Sequence, residues 1–205
     1  MTRMILMRHS STVYRDGNVF AGLTDFPLNR HGVELAGEIA KKLKDEKIAA
    51  VYSSMLSRSY ETAKPVAEQF GLKVERVKEF NELDFGIFEG LKLEQVKERF
   101  PDVFEKRQEN PWDFAVPQGE SYRDGAERAY PKLLELIKKH EGQTFIVVCH
   151  GCIMKSMLVM LTGRPYSEIR QGKFHFGCRV FINIDGGKVR IERTEGVEHG
   201  LPEIA

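Results

Sequence analysis

The chain has 205 residues, with 31 lysines and arginines against 30 aspartates and glutamates, a formal net charge of +1 and three cysteines. That length suits one domain with a sizeable core, the interspersed charge argues against a nucleic-acid role, and no apolar stretch approaches the ~20 residues that span a bilayer. The sparse, odd cysteine count fits a reducing cytoplasm better than a disulfide framework, and the Met4–Met7 run is too short for a signal-peptide core.

In chain order, Met4-Ile5-Leu6-Met7 reads as a buried strand ending in Arg8-His9. Val33, Ala36, Ile39, Ala40 and Leu43 recur at helical spacing, which predicts an amphipathic helix from about Arg30 to Lys44. Ala49 to Tyr52 is a short buried strand. The next helix carries Ala63, Val66, Ala67 and Phe70, with Gly71 to end it. Leu72 to Val77 alternates apolar with charged residues as a third strand. A helix from about Ser121 to His140 presents Ala126, Ala129, Tyr130, Leu133, Leu134 and Ile137 on one side. Phe145 to Cys149 is a fully buried strand, followed by a helix from Cys152 to Leu161. Cys178 to Ile184, Asp185-Gly186, and then Val189 with Ile191 form a hairpin signal.

Strands alternating with helices predict an α/β three-layer sandwich, a mainly parallel central sheet flanked by helices, with the antiparallel hairpin at an edge near the C-terminus. The whole chain, 1–205, is expected to be one domain. Its exception to regular alternation is an excursion over about 81–120, with a short helix from Leu91 to Phe100 and then Pro101, Pro111, Trp112, Phe114 and Pro117. Such a segment beside an active edge serves either as a lid and substrate wall or as a packed surface loop.

The chemistry-bearing residues fall where an open sheet binds ligands, at strand carboxyl ends. Arg8-His9 ends the first strand, Cys149-His150-Gly151 the last parallel one, and Ser53-Ser54-Met55-Leu56-Ser57-Arg58 and Asn81-Glu82-Leu83-Asp84-Phe85-Gly86 lie between. Two histidines, two arginines and a carboxylate constitute a phosphate-handling set. Guanidinium is planar, permanently charged and grips two oxygens, and a neutral imidazole attacks phosphorus without first losing a proton. Cys149 and Cys152 have Cys-x-x-Cys spacing, but His150-Gly151 between them belongs to this set, so both are read as small apolar residues rather than a redox pair. A zinc site would need a second cysteine pair, and no metal ligands or cofactor are assigned.

Taken together these motifs resemble the histidine phosphatase superfamily, the phosphoglycerate-mutase-like group, from roughly Ile5 to Phe181. Arg8-His9-Ser10 is similar to its Arg-His-Gly, Ser53 to Arg58 to its Ser-Ser-x-x-x-Arg, Glu82 to Gly86 with Glu89-Gly90 to its acidic segment, and Asp25-Phe26-Pro27-Leu28 with Gly32 to its Asp-x-Pro-Leu run. The resemblance implies a phosphoric monoester hydrolase with His9 as nucleophile, attacking through Nδ1 while a backbone carbonyl orients Nε2. It further implies Arg8 and Arg58 as phosphate clamps, His150 donating to the same oxygens at a helix start, and Glu82 as general acid, although Asp84 and Glu89 compete on spacing. Departures are Ser11 where the family has an acid, Arg15 where it has asparagine, and Ala21 where it has glutamine. Arg15 would add a third cation to the substrate and Trp112 an apolar wall. The expected activity is metal-independent hydrolysis of a small phosphorylated metabolite, α-ribazole phosphate among the candidates. The alternatives are a phosphoglycerate-mutase-type phosphotransferase, a phosphoserine phosphatase, and a catalytically silent phosphate-binding module.

Overall fold

A computed structural model describes residues 1–14, 19–199 and 201. Its centre is a six-stranded sheet built from β1 (Thr2–Arg8), β2 (Ile48–Ser53), β3 (Val74–Arg76), β4 (Thr144–Cys149), β5 (Lys173–Asp185) and β6 (Lys188–Glu198). The order across the sheet is β3-β2-β4-β1-β5-β6, parallel through β1 and antiparallel at β5 and β6. Strand alternation sends successive residues to opposite faces. Met4, Leu6, Phe145 and Val147 pack on one side beneath α5 (Tyr122–Lys139) and α6 (Gly151–Thr162). Ile5, Met7, Ile146 and Val148 pack on the other beneath α1 (Arg30–Lys42) and α2 (Ser57–Gln69). The predicted mainly parallel sheet between helical layers, with its antiparallel C-terminal strands, is the observed architecture.

Local signals explain the elements that hold the site. Asn29 caps α1 by accepting from the Gly32 N–H at 2.7 Å, while its own Nδ2 donates to Ser11 Oγ at 3.0 Å and the Thr12 carbonyl at 2.6 Å. Gly32 is required by contact rather than by torsion, since a Cβ there would sit 1.9 Å from the Ser11 carbonyl oxygen. The first turn of α1 is thereby fastened to the loop that follows His9. Asp25 caps α2, accepting from the Ser57 N–H at 2.9 Å and the Ser57 hydroxyl at 2.8 Å.

Several predicted boundaries move. Val33 lies off the buried stripe of α1, at 60% exposure. Leu134 is 45% exposed on α5 for the same reason, a position one step outside the apolar arc. β3 is only three residues long, whereas β5 begins at Lys173, before the alternating pattern is legible. Between β3 and α5 lie two helices, α3 (Leu93–Arg99) and α4 (Pro101–Glu109), where one was predicted. Pro101 opens α4 at its first position, where the missing N–H costs nothing, instead of ending helical structure. A four-residue helix, α7 (Tyr166–Ile169), precedes β5. Among the described residues, no helix is long and apolar enough to cross a membrane.

Candidate active site

At the carboxyl edge of the sheet, backbone hydrogen bonds continue past the strand ends. The His9 N–H donates to the Cys149 carbonyl at 2.9 Å, the Ser54 N–H to the Val148 carbonyl at 3.2 Å, and the Gly177 N–H to the His9 carbonyl at 3.1 Å. Above this edge opens a cavity of about 590 Å³ whose walls include Arg8, His9, Arg58, Glu82, Arg107 and Lys155. That volume accommodates a small metabolite.

His9 is 6% exposed. Its Nδ1 lies 2.7 Å from the Ser10 carbonyl, which can only accept, so Nδ1 carries the proton and donates. Nε2 has no partner among the described residues and keeps its lone pair. The expected roles of the two nitrogens are therefore reversed, because the carbonyl one residue along reaches the nearer nitrogen. Burial first, then the guanidinium groups of Arg58 and Arg8, hold the ring well below the usual histidine range, against the upward pull of the Ser10 carbonyl. The sign is clear: a depressed value keeps Nε2 unprotonated below pH 6.5, the ordinary histidine midpoint. In a ¹⁵N-resolved titration, His9 should show a pyrrole-type Nδ1 and pyridine-type Nε2 at pH 7 and still at pH 5.5. A pyridine-type Nδ1, or protonation near pH 6.5, would refute this tautomer.

Arg8 stacks on Phe176, its guanidinium carbon 4.2 Å from the ring centroid, and its Nη1 donates to the Phe174 carbonyl at 2.5 Å. Among the described residues its buried Nε–H has no partner. Arg58 is 1% exposed on α2. It donates through Nη1 to the Thr24 carbonyl at 2.9 Å and through Nη2 to those of Ala21 and Gly22 at 3.0 and 2.7 Å. Burial lowers it from the ordinary arginine value, opposed by Glu82, Asp25 and Glu89.

His150 is fully buried and stands apart from the cavity wall. Arg58 Nε donates to its Nδ1 at 3.2 Å, so its Nε2–H donates to Ser54 Oγ at 2.7 Å. The ring has no N–H left over for a phosphate. It orients Arg58 from behind, with its centroid 5.1 Å from that of His9. Burial, then Arg58, His9 and Arg8, push it well below the usual range.

Geometry separates the three candidate carboxylates. Glu82 lines the cavity and accepts from the N–H groups of Cys152, Ile153 and Leu83 at 2.9, 2.9 and 3.0 Å. Two donors at the start of α6 thus hold Glu82. Asp84 faces a different concavity and accepts from the Gly86 N–H at 2.8 Å. Glu89 accepts from the N–H groups of Leu23 and Phe85 and from the Thr24 hydroxyl, bracing the loop whose carbonyls hold Arg58.

The cysteines are free. Burial pushes Cys149 well above the ordinary thiol value, and Cys152 and Cys178 up to about 11, which favours the thiol over the thiolate at all three. Among the described residues, no group of three or more His, Cys, Asp or Glu is disposed around a metal position. Arg15 lies outside the described residues. Trp112 lies outside the cavity lining, its ring tilted against Tyr166 with centroids 5.6 Å apart and covered by Arg123. It supports Tyr166, which in turn backs Tyr122 at 4.6 Å, and Tyr122 is the ring that lines the cavity. The sequence reading missed Arg107, which sits among many charges on α4, and Lys155, a lone charge on the apolar α6; neither follows a motif.

The profile of the histidine phosphatase superfamily (branch 1) matches residues 4–195. Phosphoserine phosphatase 1 of Hydrogenobacter thermophilus (strain DSM 6534 / IAM 12695 / TK-6) is 33% identical over 178 residues, 87% of this chain and 82% of that protein. The structure of Bacillus stearothermophilus YhfR superposes with a TM-score of 0.87 at 25% identity, covering 94% of this chain and 96% of that one. The alpha-ribazole phosphatase from Shigella flexneri superposes at 0.83 with 21% identity, covering 93% and 94%, a likeness of fold alone.

Proposed function

We propose that this chain, which belongs to the histidine phosphatase superfamily (branch 1) and is a phosphatase, hydrolyses a small phosphomonoester through a phosphohistidine at His9. The observation that carries the reading is the His9 tautomer: Nδ1 is committed to the Ser10 carbonyl, leaving a lone pair on Nε2 of a ring that lines the cavity. Beside it stand Arg8, with an unpaired Nε–H, and the buried charge of Arg58.

In the first step Nε2 bonds to phosphorus while the ester P–O bond breaks, and Glu82 gives its proton to the departing alkoxide. Glu82 then takes a proton from water, which attacks the phosphohistidine and releases phosphate. Arg8 and Arg58 balance charge on the transferring group, the main demand of phosphoryl transfer. No metal is assigned a step, because these guanidinium groups supply the positive charge. The segment over 81–120 forms part of a single domain of 1–205 and walls the cavity through α4. Three protonated thiols suit work in the cytoplasm.

For the alcohol part of the substrate, α-ribazole phosphate has support only from fold likeness, whereas the 33% identical relative is a phosphoserine phosphatase. The reading therefore moves towards small esters of the phosphoserine kind. A mutase would need the phosphohistidine to outlast product exchange.

Acid-free quenching of a reaction with ³²P-labelled p-nitrophenyl phosphate should yield one labelled protein species, labile to acid and stable to base. Turnover should persist in excess chelator. An acid-stable adduct, or loss with EDTA reversed by a divalent ion, would overturn the mechanism.

A further inference from the structure

Two hydroxyls of α2 point at the strand ends. Ser59 and Thr62 are fully buried, one turn apart, on a helix whose other buried positions include Ala63, Val66 and Ala67. An alanine or valine would fill either position without desolvating an oxygen, so a buried hydroxyl there is explained by what it bonds. Ser59 Oγ accepts from the Ser54 N–H at 3.1 Å and donates to the Val148 carbonyl at 2.6 Å. It fastens the first turn of α2 to β4 and to the residue just past β2.

Thr62 makes the corresponding tie towards β1. Its hydroxyl donates to the Arg58 carbonyl at 2.7 Å, four residues back in α2, and accepts from the Ser10 N–H at 2.9 Å. A carbonyl can only accept, so the hydroxyl proton goes to Arg58 and a lone pair is left facing Ser10. Branching at Cβ restricts the side chain to few rotamers, and the bond to Arg58 selects one. Ser10 is fully buried, and its N–H belongs to the peptide that follows His9. The carbonyl of that same peptide accepts from the Gly177 N–H at 3.1 Å. The peptide is thus held at both ends, by β5 through its oxygen and by α2 through its nitrogen. One hydroxyl oxygen bridges it to the backbone of Arg58.

We propose that Thr62 is a positioning residue for phosphoryl transfer, setting the His9 ring and the Arg58 guanidinium in the mutual placement that in-line attack needs. This rests on the reading of His9 as nucleophile and Arg58 as the group that balances charge. Thr62 lies outside the cavity lining, so it acts through these two residues and not on the substrate. The tautomer of His9 does not depend on it, because that is decided by the Ser10 carbonyl. Without the oxygen, the Ser10 N–H is left buried and unpaired, and the peptide shifts to recover a partner. Attack tolerates such a shift poorly, since a displacement of about 1 Å costs on the order of 10²-fold in rate. Ground-state binding of an anion between guanidinium groups is less exacting.

The test uses the full chain with Thr62→Ser and Thr62→Ala, which have both lost the methyl and differ by one oxygen. Thr62→Val keeps the shape without the hydroxyl and stands in should Thr62→Ala fail to fold. Single-turnover release of p-nitrophenol from p-nitrophenyl phosphate should slow by ~10- to 100-fold in the two hydroxyl-free variants, and stay within about threefold of the parent in Thr62→Ser. Orthovanadate, which adopts the five-coordinate geometry of the transition state, should lose affinity for the hydroxyl-free variants by a similar factor. Inorganic phosphate should bind them as it binds the parent. A merely structural role would lower Tm without separating these two inhibitors. Unslowed release in the hydroxyl-free variants, equal weakening of vanadate and phosphate, or Thr62→Ser as slow as Thr62→Ala would overturn the proposal. So would rapid amide exchange at Ser10 in the unaltered protein, a measurement that needs no variant. Each of these outcomes leaves the hydrolytic reading intact. Failure to trap the labelled phosphohistidine in the unaltered protein would instead overturn that reading.

Discussion

His9→Ala should lower kcat by on the order of 10⁴- to 10⁶-fold, the scale on which removing a nucleophile that acts as part of a unit is felt. No other described side chain can take over. His150 has both ring nitrogens engaged and sits behind Arg58, and the thiols of Cys149 and Cys152 are held protonated by burial. The fold should survive, because the lost ring borders an open cavity. There is a pH signature too. A histidine whose native value is depressed stays neutral while the unfolded chain takes up a proton, so native stability falls as pH drops below about 6.5. Removing His9 removes its share of that loss. The Tm gap between variant and parent should therefore shrink from pH 7.5 to pH 5. Activity within tenfold of the parent, or a labelled phosphoprotein in the variant, would place the nucleophile elsewhere.

Glu82→Gln should slow esters with poor leaving groups by roughly 10²- to 10⁴-fold in the single-turnover burst, the usual contribution of a positioned general acid. p-Nitrophenyl phosphate, whose leaving group needs little proton donation, should lose far less in the same burst. Steady-state rates would mislead, since slow dephosphorylation caps both esters. One structural cost must be measured beside it. Glu82 accepts from Cys152 and Leu83 on different oxygens, and an amide nitrogen in place of either meets a backbone N–H head-on. A fall in Tm from that clash is expected. Equal burst slowing for both esters would sink the general-acid role.

Much of this was legible in the chain. Strand ends at Arg8 and Cys149, and the helices flanking them, follow from apolar runs and spacing that tertiary packing only reinforces. Legibility failed where meaning depends on what a residue meets in space. Pro101 looked like a break and proved a helix start. The lone tryptophan reads from sequence as either a substrate wall or a packing residue, and it stands outside the cavity lining against Tyr166, because a ring's exposure to one side of a loop is not written in its neighbours. The reversed nitrogens of His9 could not be read at all, since the tautomer is decided by a distance to Ser10. Arg107 was invisible for a related reason: among the described residues no carboxylate pairs with it in three dimensions, while acids surround it in sequence.

The bond from His9 Nδ1 to the carbonyl of the next residue spans one peptide unit. The reacting atom thus owes its readiness to a dipeptide, whereas the cavity walls around it come from segments far along the chain. A device that local is portable. The walls can be rebuilt for a new alcohol without retuning the nucleophile, and an engineer seeking new substrates here should leave residues 8–10 alone and randomise wall positions outside them.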